Sequence, residues 1–421
     1  VHQTTGQRIA VIGSGVAGLT AAYLLQRRHE VLLFEADDRL GGHAHTHDVP
    51  STHGGTIGVD SGFLVHNERT YPTLIRLFGE LGVQTRDTEM SMSIRCDGCG
   101  LQYSGARGLR GLFAQPRNLT SRRYLLMLAE VKRFHRQAAR LLAHPESGDV
   151  PLGAFLAIGG FSQYFTDHFV LPLVSTVWSA DRTDTMQYPA RYLFEFLRNH
   201  GMLTVKNSPT WRTVVGGSRE YVERAAKQLT AVHLSTPVRS VLRTARGVEV
   251  RDDADTPHRV DRVVVATHAD QALGLLADPT PAEKELLGAF RYSRNEALLH
   301  TDATVLPTVE AARSGWNYRT PECGSDTGAV QVSYDLNQLM GLDEATRYVV
   351  TLNPGSAPGA VLARMSYEHP IYTPESVGAQ RRLPELNDGV LAYAGAYHGW
   401  GFHEDGCTSG ARAAASFGVD W

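Results

Sequence analysis

Residues 7–35, QRIAVIGSGVAGLTAAYLLQRRHEVLLFE, read as a strand, a glycine turn, a helix and a second strand that ends on an acid. The apolar run 9–12 predicts a buried strand, and Gly13, Gly15 and Gly18 form a G-x-G-x-x-G turn. A helix is expected from residue 17 to about 27, and a second strand over 31–34. Each residue type has a physical task. Gly13 permits the tight turn, Gly15 lets backbone approach a pyrophosphate, and Gly18 lets helix and strand pack closely. The helix N-terminus offers free N–H groups and partial positive charge to phosphates. Glu35, 22 residues after Gly13, can accept hydrogen bonds from ribose hydroxyls, and its charge disfavours a 2′-phosphate. The unit predicts a dinucleotide site, with Ser14, Ala17 and Ala36 beside it.

Motifs at both ends narrow the ligand. Arg39-Leu40-Gly41-Gly42 follows the acid directly, and Asp60-Ser61-Gly62-Phe63 follows a Gly-rich stretch. Near the C-terminus stand Tyr393-Ala394-Gly395, then Gly401-Phe402-His403-Glu404-Asp405-Gly406, then Ser409-Gly410 and Arg412. This set resembles the flavin amine oxidase and phytoene desaturase superfamily, which carries R-x-G-G after the acid and a G-Y-M-E-G helix start near its end. The resemblance implies non-covalent FAD, held by Gly13, Ser14, Gly15, Ala17, Gly18, Glu35, Ala36, Arg39, Gly41, Gly42, His43, Gly62, Phe63, Val238, Gly395, Glu404, Asp405 and Gly406. The final helix would then point its N-terminus at the flavin, where reduced flavin carries negative charge. One departure is Ala396, where many relatives have an acid or Thr.

A closer resemblance spans nearly the whole chain. GFLVHNERTYPTLIRLFGELGV from Gly62, WRTVVGGSREYV from Trp211, ATHADQALGLLADPTPAEKELLGAFRY from Ala266 and GFHEDG from Gly401 are similar to one bacterial group. Its members are NAD/FAD-binding proteins commonly encoded beside cyclopropane-fatty-acyl-phospholipid synthases. The resemblance implies a cofactor and a lipid context. It also implies an α/β fold: a Rossmann-type FAD-binding domain (1–70, 205–287, 385–421) interleaved with a substrate-binding domain of mixed sheet plus helices (71–204, 288–384). In the first domain Val238 resembles the strand at the adenine end, and RVVVAT, 262–267, reads as a buried parallel strand. In the second, helices are expected over 71–81, 122–142, 161–173 and 191–200, and strands between 297 and 367, such as 348–352. Gly216-Gly217 lacks the rest of a second dinucleotide pattern.

At 421 residues the chain has length for two to three domains, and 42% hydrophobic with 20% charged residues is ordinary globular composition. A net charge of −3 selects no partner class. No apolar run approaches the ~20 residues of a membrane span, and strand one begins within ten residues of the first residue given. The expected location is the cytoplasm, with peripheral contact at the inner membrane face as an option. Cys96 and Cys99 flank Asp97-Gly98, a hairpin-turn signal. With no second pair to complete a zinc site, they read as a hairpin tip and no metal is expected. His43, His45 and His47 alternate along one face, with only His43 expected near the cofactor.

Between 101 and 143 lie Arg107, Arg110, Arg117, Arg122, Arg123, Lys132, Arg133, Arg136 and Arg140 against one acid, Glu130. Leu109, Leu112, Phe113, Leu125, Leu128 and Phe134 interleave. Such a stretch suits anionic lipid or an acidic acyl-carrier protein, or else a solvated face paired to acids elsewhere. No nucleic-acid motif accompanies it.

For the chemistry, relatives place an N-K strand beside the flavin. Here it reads Asn295-Glu296, so Glu296 replaces the lysine and ordinary amine oxidation is disfavoured. Phe402 corresponds to the flavin-flanking aromatic, Tyr367 is a candidate second flank, and His398 is a candidate acid or base beside His369, Trp400 and His403. The expectation is an FAD-dependent oxidoreductase that takes a hydride from a fatty acyl chain to flavin N5, as in desaturation. The alternatives are a flavin-dependent double-bond isomerase, an amine oxidase, and a non-catalytic flavoprotein partner of a lipid methyltransferase.

Overall fold

The structure is a computed structural model describing residues 6–144, 148–203, 208–324 and 331–421. Its first sheet has five parallel strands in the order Ala231–His233, Glu30–Phe34, Arg8–Ile12, Arg262–Val265, Leu391–Tyr393. The central strand is covered on both faces, which is why its sequence is a continuous apolar run: Ile9, Ala10 and Val11 are all fully buried. Burying each large aliphatic side chain of this kind contributes roughly 1.5–3 kcal/mol. The helix Val16–Leu25 follows the glycine turn and lies against the C-terminal helix His403–Ser416. Gly13 has φ +96, a conformation that L side chains rarely adopt.

A second sheet has seven strands, ordered Val361–Ile371, Arg291–His300, Val349–Leu352, Gln331–Asp335, Trp316–Thr320, Met92–Cys96, Gln102–Ser104. Arg291–His300 and Val361–Ile371 pair antiparallel, with Asn295 opposite Tyr367. Helices Arg122–Ala143, Leu152–Ile158, Leu171–Trp178, Arg182–Gln187 and Ala190–Asn199 form a helical layer with its own aromatic core around Tyr124, Phe134, Phe165 and Phe194. The expected helix over 161–173 is broken into Gln163–Phe165, a π turn at Thr166–Val170, and Leu171–Trp178. Chain periodicity does not announce a π turn, because its extra residue is accommodated by neighbours. The interleaved α/β and sheet-plus-helix architecture is that expected of the sequence.

Segments between the two parts are more interwoven than a two-domain division suggests. Helix Pro72–Leu81 is held to the C-terminal helix, and strand Thr85–Thr88 pairs with Trp211–Val214. Leu383 and Leu386 share a core with Ile12 and Val263 of the parallel sheet. Among the described residues no helix is long and apolar enough to cross a membrane.

Candidate active site

A cavity of about 880 Å³ opens at the carboxyl ends of the parallel strands, the position where open α/β sheets bind ligands. One part of its wall comes from Gly13 to Ala17, from Glu35 and Ala36, from Arg39, from Gly41 to His43, and from Val238. Another part is apolar and aromatic: Trp178, Phe196, Met202, Trp211 and Phe402.

The dinucleotide wall is built by short-range bonds. Glu35 accepts from the Ser14 backbone N–H at 2.8 Å and from the Ser14 hydroxyl, and its other oxygen accepts from Asp37 N–H at 3.0 Å. Arg39 donates to the Gly42 carbonyl at 2.8 Å and so holds the loop that carries Gly41 and Gly42. Helix Val16–Leu25 has no side-chain cap and no acid in its first turn, so its first N–H groups are left for an anion. An ideal Cβ on Gly15 would have nothing within 4 Å, so that glycine leaves room for a ligand rather than for protein. Four buried polar atoms lining the cavity have no protein partner: His43 Nε2, Thr176 Oγ1, Trp316 Nε1 and the Tyr397 hydroxyl. An unpaired buried polar atom costs about 1–3 kcal/mol, so a polar occupant such as a flavin dinucleotide fits this cavity.

Gly62, Phe63 and Gly395 also line the cavity, but four expected cofactor residues do not. A Cβ on Gly18 would sit 1.9 Å from the Gly13 carbonyl oxygen, and one on Gly406 would sit 2.6 Å from Val16 Cγ1. Both serve close packing of the helix N-termini. Glu404 accepts from Thr73 and Leu74 N–H at 3.0 and 2.9 Å and caps helix Pro72–Leu81. Asp405 accepts from Phe402 N–H at 2.9 Å and caps its own helix. Spacing in the motif could not distinguish ligand contact from capping, because each acid finds its partner only after the helices dock.

Of the candidate catalytic residues, Phe402 and Tyr367 line the cavity. Phe402 stacks on Phe196 with centroids 5.1 Å apart. The Tyr367 hydroxyl is fixed by Ser61 Oγ at 2.6 Å and His45 Nδ1 at 3.3 Å, and burial raises it to about 12, so it stays protonated. Glu296 is corrected: strand alternation turns Asn295 inward and Glu296 outward, where it meets Arg364 at 3.3 Å. His398 is also outside the cavity, and burial lowers it to about 3.

What the sequence did not single out is a cluster of uncharged imidazoles. The ring of His43 lies 5.0 Å from Tyr367, 5.5 Å from His369 and 6.4 Å from His268. Burial, then mutual repulsion with neighbouring imidazoles, holds His43 well below its ordinary value and His369 at about 4. His268 is lowered by burial and partly restored by Glu368, 3.2 Å away. At neutral pH these rings present hydrogen-bonding nitrogens without added charge. They arrive from three distant segments, so no local pattern groups them. The His45 and His47 rings lie tilted with centroids 3.9 Å apart, His45 reaching the Tyr367 hydroxyl, and they belong to no group of three or more metal-ligating side chains among the described residues.

The structure also gathers further metal-ligating residue types around the Cys96–Cys99 turn. The hairpin at Cys96–Cys99 forms as expected, but His168 and Cys323 join it, and the four ligand atoms lie within 4.8 Å of one another.

A Rossmann-type sheet, an uncapped helix over a glycine turn and a polar-demanding cavity define a dinucleotide-dependent enzyme class. The chain belongs to the flavin containing amine oxidoreductase family, whose model matches residues 16–304. It is 30% identical over 300 residues to the putative flavin-containing monoamine oxidase AofH of Mycobacterium tuberculosis, covering 66% of this chain and 61% of that protein. It is 26% identical over 301 residues to coproporphyrinogen III oxidase of Mycobacterium leprae, covering 66% and 63%. The matches thus span about six-tenths of those relatives' length. Solved structures share the fold: cyclohexylamine oxidase from Brevibacterium oxydans IH-35A at TM-score 0.69 and 18% identity, covering 98% of both chains. A fatty acid isomerase from P. acnes matches at TM-score 0.66 and 15% identity, covering 97% of this chain and 98% of that one. The family is one of flavin-containing oxidoreductases.

Proposed function

We propose that this enzyme acts on a fatty acyl chain, withdrawing a hydride and introducing unsaturation. The observation that carries this reading is the aromatic wall. Trp178, Phe196, Met202, Trp211 and Phe402 offer hydrocarbon contact, and the acids in the cavity lining are Glu35 and Asp37, beside the dinucleotide loop, and Glu368, which is paired with His268. An ammonium substrate would lack a free counter-charge there. The long segments similar to proteins encoded beside cyclopropane-fatty-acyl-phospholipid synthases support the same lipid context.

Bound FAD, held non-covalently, supplies hydride acceptance. The chain's own residues do the rest. Phe402 and Phe196 exclude water from the reacting carbon and restrict the acyl chain's orientation. Tyr367, anchored by Ser61 and His45, keeps its proton and can only donate or accept a hydrogen bond at its hydroxyl. The uncharged His43 and His369 add no positive charge of their own to the pocket. Anaerobic incubation with bacterial phospholipids should bleach the flavin and yield acyl chains two mass units lighter. A shifted double bond at constant mass would instead establish isomerisation, the activity named for the P. acnes neighbour. Bleaching by simple amines with none by lipids would overturn the acyl-chain reading in favour of the activity named for AofH.

The basic stretch is the proposed route to that substrate. Among the described residues, only Arg107 and Arg133 of its nine cations pair with an acid, Glu89 and Glu130 respectively. Leu109 and Leu126 are 75% and 55% exposed, with Leu119 and Leu125 also facing out. Unpaired cations beside exposed leucines suit reversible contact with anionic lipid at ~1 kcal/mol per basic residue. Changing Arg122, Arg123, Arg136 and Arg140 to Gln should weaken flotation with anionic liposomes by roughly 100-fold or more, and added salt should weaken the wild type. Equal flotation of both proteins would assign the patch to an acyl-carrier protein or to solvent.

A further inference from the structure

We infer that Cys96, Cys99, His168 and Cys323 form a structural zinc site. Cys96 Sγ and Cys323 Sγ are 3.6 Å apart, and His168 Nε2 is 3.5 Å from both Cys99 Sγ and Cys323 Sγ. Tetrahedral zinc with ordinary bond lengths requires about 3.8 Å between sulfurs and about 3.6 Å between sulfur and nitrogen. These three ligand–ligand distances match edges of a zinc tetrahedron, and all four ligand atoms lie within 4.8 Å of one another.

The surroundings are those of a built site. The Cys96–Cys99 turn is closed by the Cys96 N–H to Leu101 carbonyl bond at 2.9 Å, and Asp97 N–H donates to the Thr320 carbonyl at 2.9 Å. The second bond ties the turn to the strand that leads to Cys323. Gly98 permits that approach, because a Cβ there would lie 2.9 Å from Glu322 Cα. His168 is fully buried in the π turn, and its Nδ1 donates to the Tyr164 carbonyl at 3.0 Å. That bond leaves Nε2 as the free lone pair facing the sulfurs, the arrangement that orients metal-bound histidines. The π turn, which the sequence pattern does not explain, brings His168 to this place. Cys99 and Cys323 are exposed and leave an entry path for the ion.

Four protein ligands leave no open coordination position, so the metal's role is structural. It joins the edge of the seven-stranded sheet to the helical layer. The reading is independent of the substrate assignment.

Protein purified under reducing conditions without chelator should contain about one zinc per chain by elemental mass spectrometry. Replacing it with Co(II) should give the intense visible bands and thiolate charge-transfer absorption of a tetrahedral site. Cys99→Ser and Cys323→Ser should weaken metal affinity by at least about 100-fold, beyond the effect of losing an outer partner. If the variants do not fold, the wild-type Co(II) spectrum decides alone. A wild type that neither contains zinc nor binds Zn(II) or Co(II) overturns the inference. So does a Cys96–Cys323 disulfide in freshly purified protein, or a weak octahedral Co(II) spectrum.

Discussion

Gly15→Ala and Gly18→Ala should fail in different ways. Gly15→Ala should fold with nearly unchanged stability yet retain less than about a tenth of the flavin. Nothing in the protein stands within 4 Å of the new methyl group, and the space it takes lies on the dinucleotide wall. Gly18→Ala should lose both flavin and stability. Its methyl group would lie 1.9 Å from the Gly13 carbonyl oxygen and 3.2 Å from Ala266 Cβ. Backbone cannot rotate away as a side chain can, so the helix must shift off the sheet, at a cost at or above the ~3 kcal/mol upper range of ordinary overpacking. The shift also moves the N–H groups that would meet the phosphates. Because the flavin is proposed to be non-covalent, it can be counted in the supernatant after acid precipitation, while urea unfolding reports stability. Equal flavin content in Gly15→Ala and wild type would remove Gly15 from the cofactor wall.

Acidification from pH 7 to pH 5 should destabilise the flavin-free protein by several kcal/mol. His66, His200 and His300 are buried, and burial lowers each to about 4 from 6.5. The unfolded chain takes up these protons first, so stability is full above about pH 6.5 and falls as pH drops toward 4. Each ring loses roughly 2 kcal/mol over this interval, or about 6 kcal/mol for the three. Two buried carboxyls act in the opposite sense: burial raises Asp60 to about 6 and Asp405 to about 7. They return about 4 kcal/mol as they protonate in the folded state. The lowered rings His369, His403, His398 and His45 add to the loss, so the net sign is destabilising. His300 shows the cause at atomic level. Its Nδ1 accepts from Asp302 N–H at 3.1 Å, and its Nε2 lies 2.8 Å from Thr351 Oγ1, so a second ring proton would break the first bond. Denaturant unfolding at several pH values should show this slope, reduced by about one proton in His300→Asn. A protein equally stable at pH 5 and pH 7 would contradict it.

Reading function from this chain depended on how local each signal was. The aromatic Phe402 was legible because it stands inside a short motif. Glu296 was misplaced because a motif fixes which residue follows which, but not which strand face meets the cavity. Glu404 and Asp405 sit in the same motif as Phe402, yet their carboxylates are used by helix N-termini. The imidazole cluster and the fourfold thiol–imidazole group could not be read, since each draws on residues more than 60 positions apart.

The sequence by itself determined the dinucleotide unit, its glycines, its acid and the family. Those features act over a few residues, where steric limits on backbone and the alternation of apolar side chains leave little choice. The tertiary structure alone decided which acids cap helices and which meet the cavity. It alone placed His43, His268 and His369 around Tyr367, and brought His168 and Cys323 to the Cys96 hairpin. Those assignments depend on how sheet and helical layer dock, and docking is set by the summed packing of many side chains rather than by any one stretch of chain.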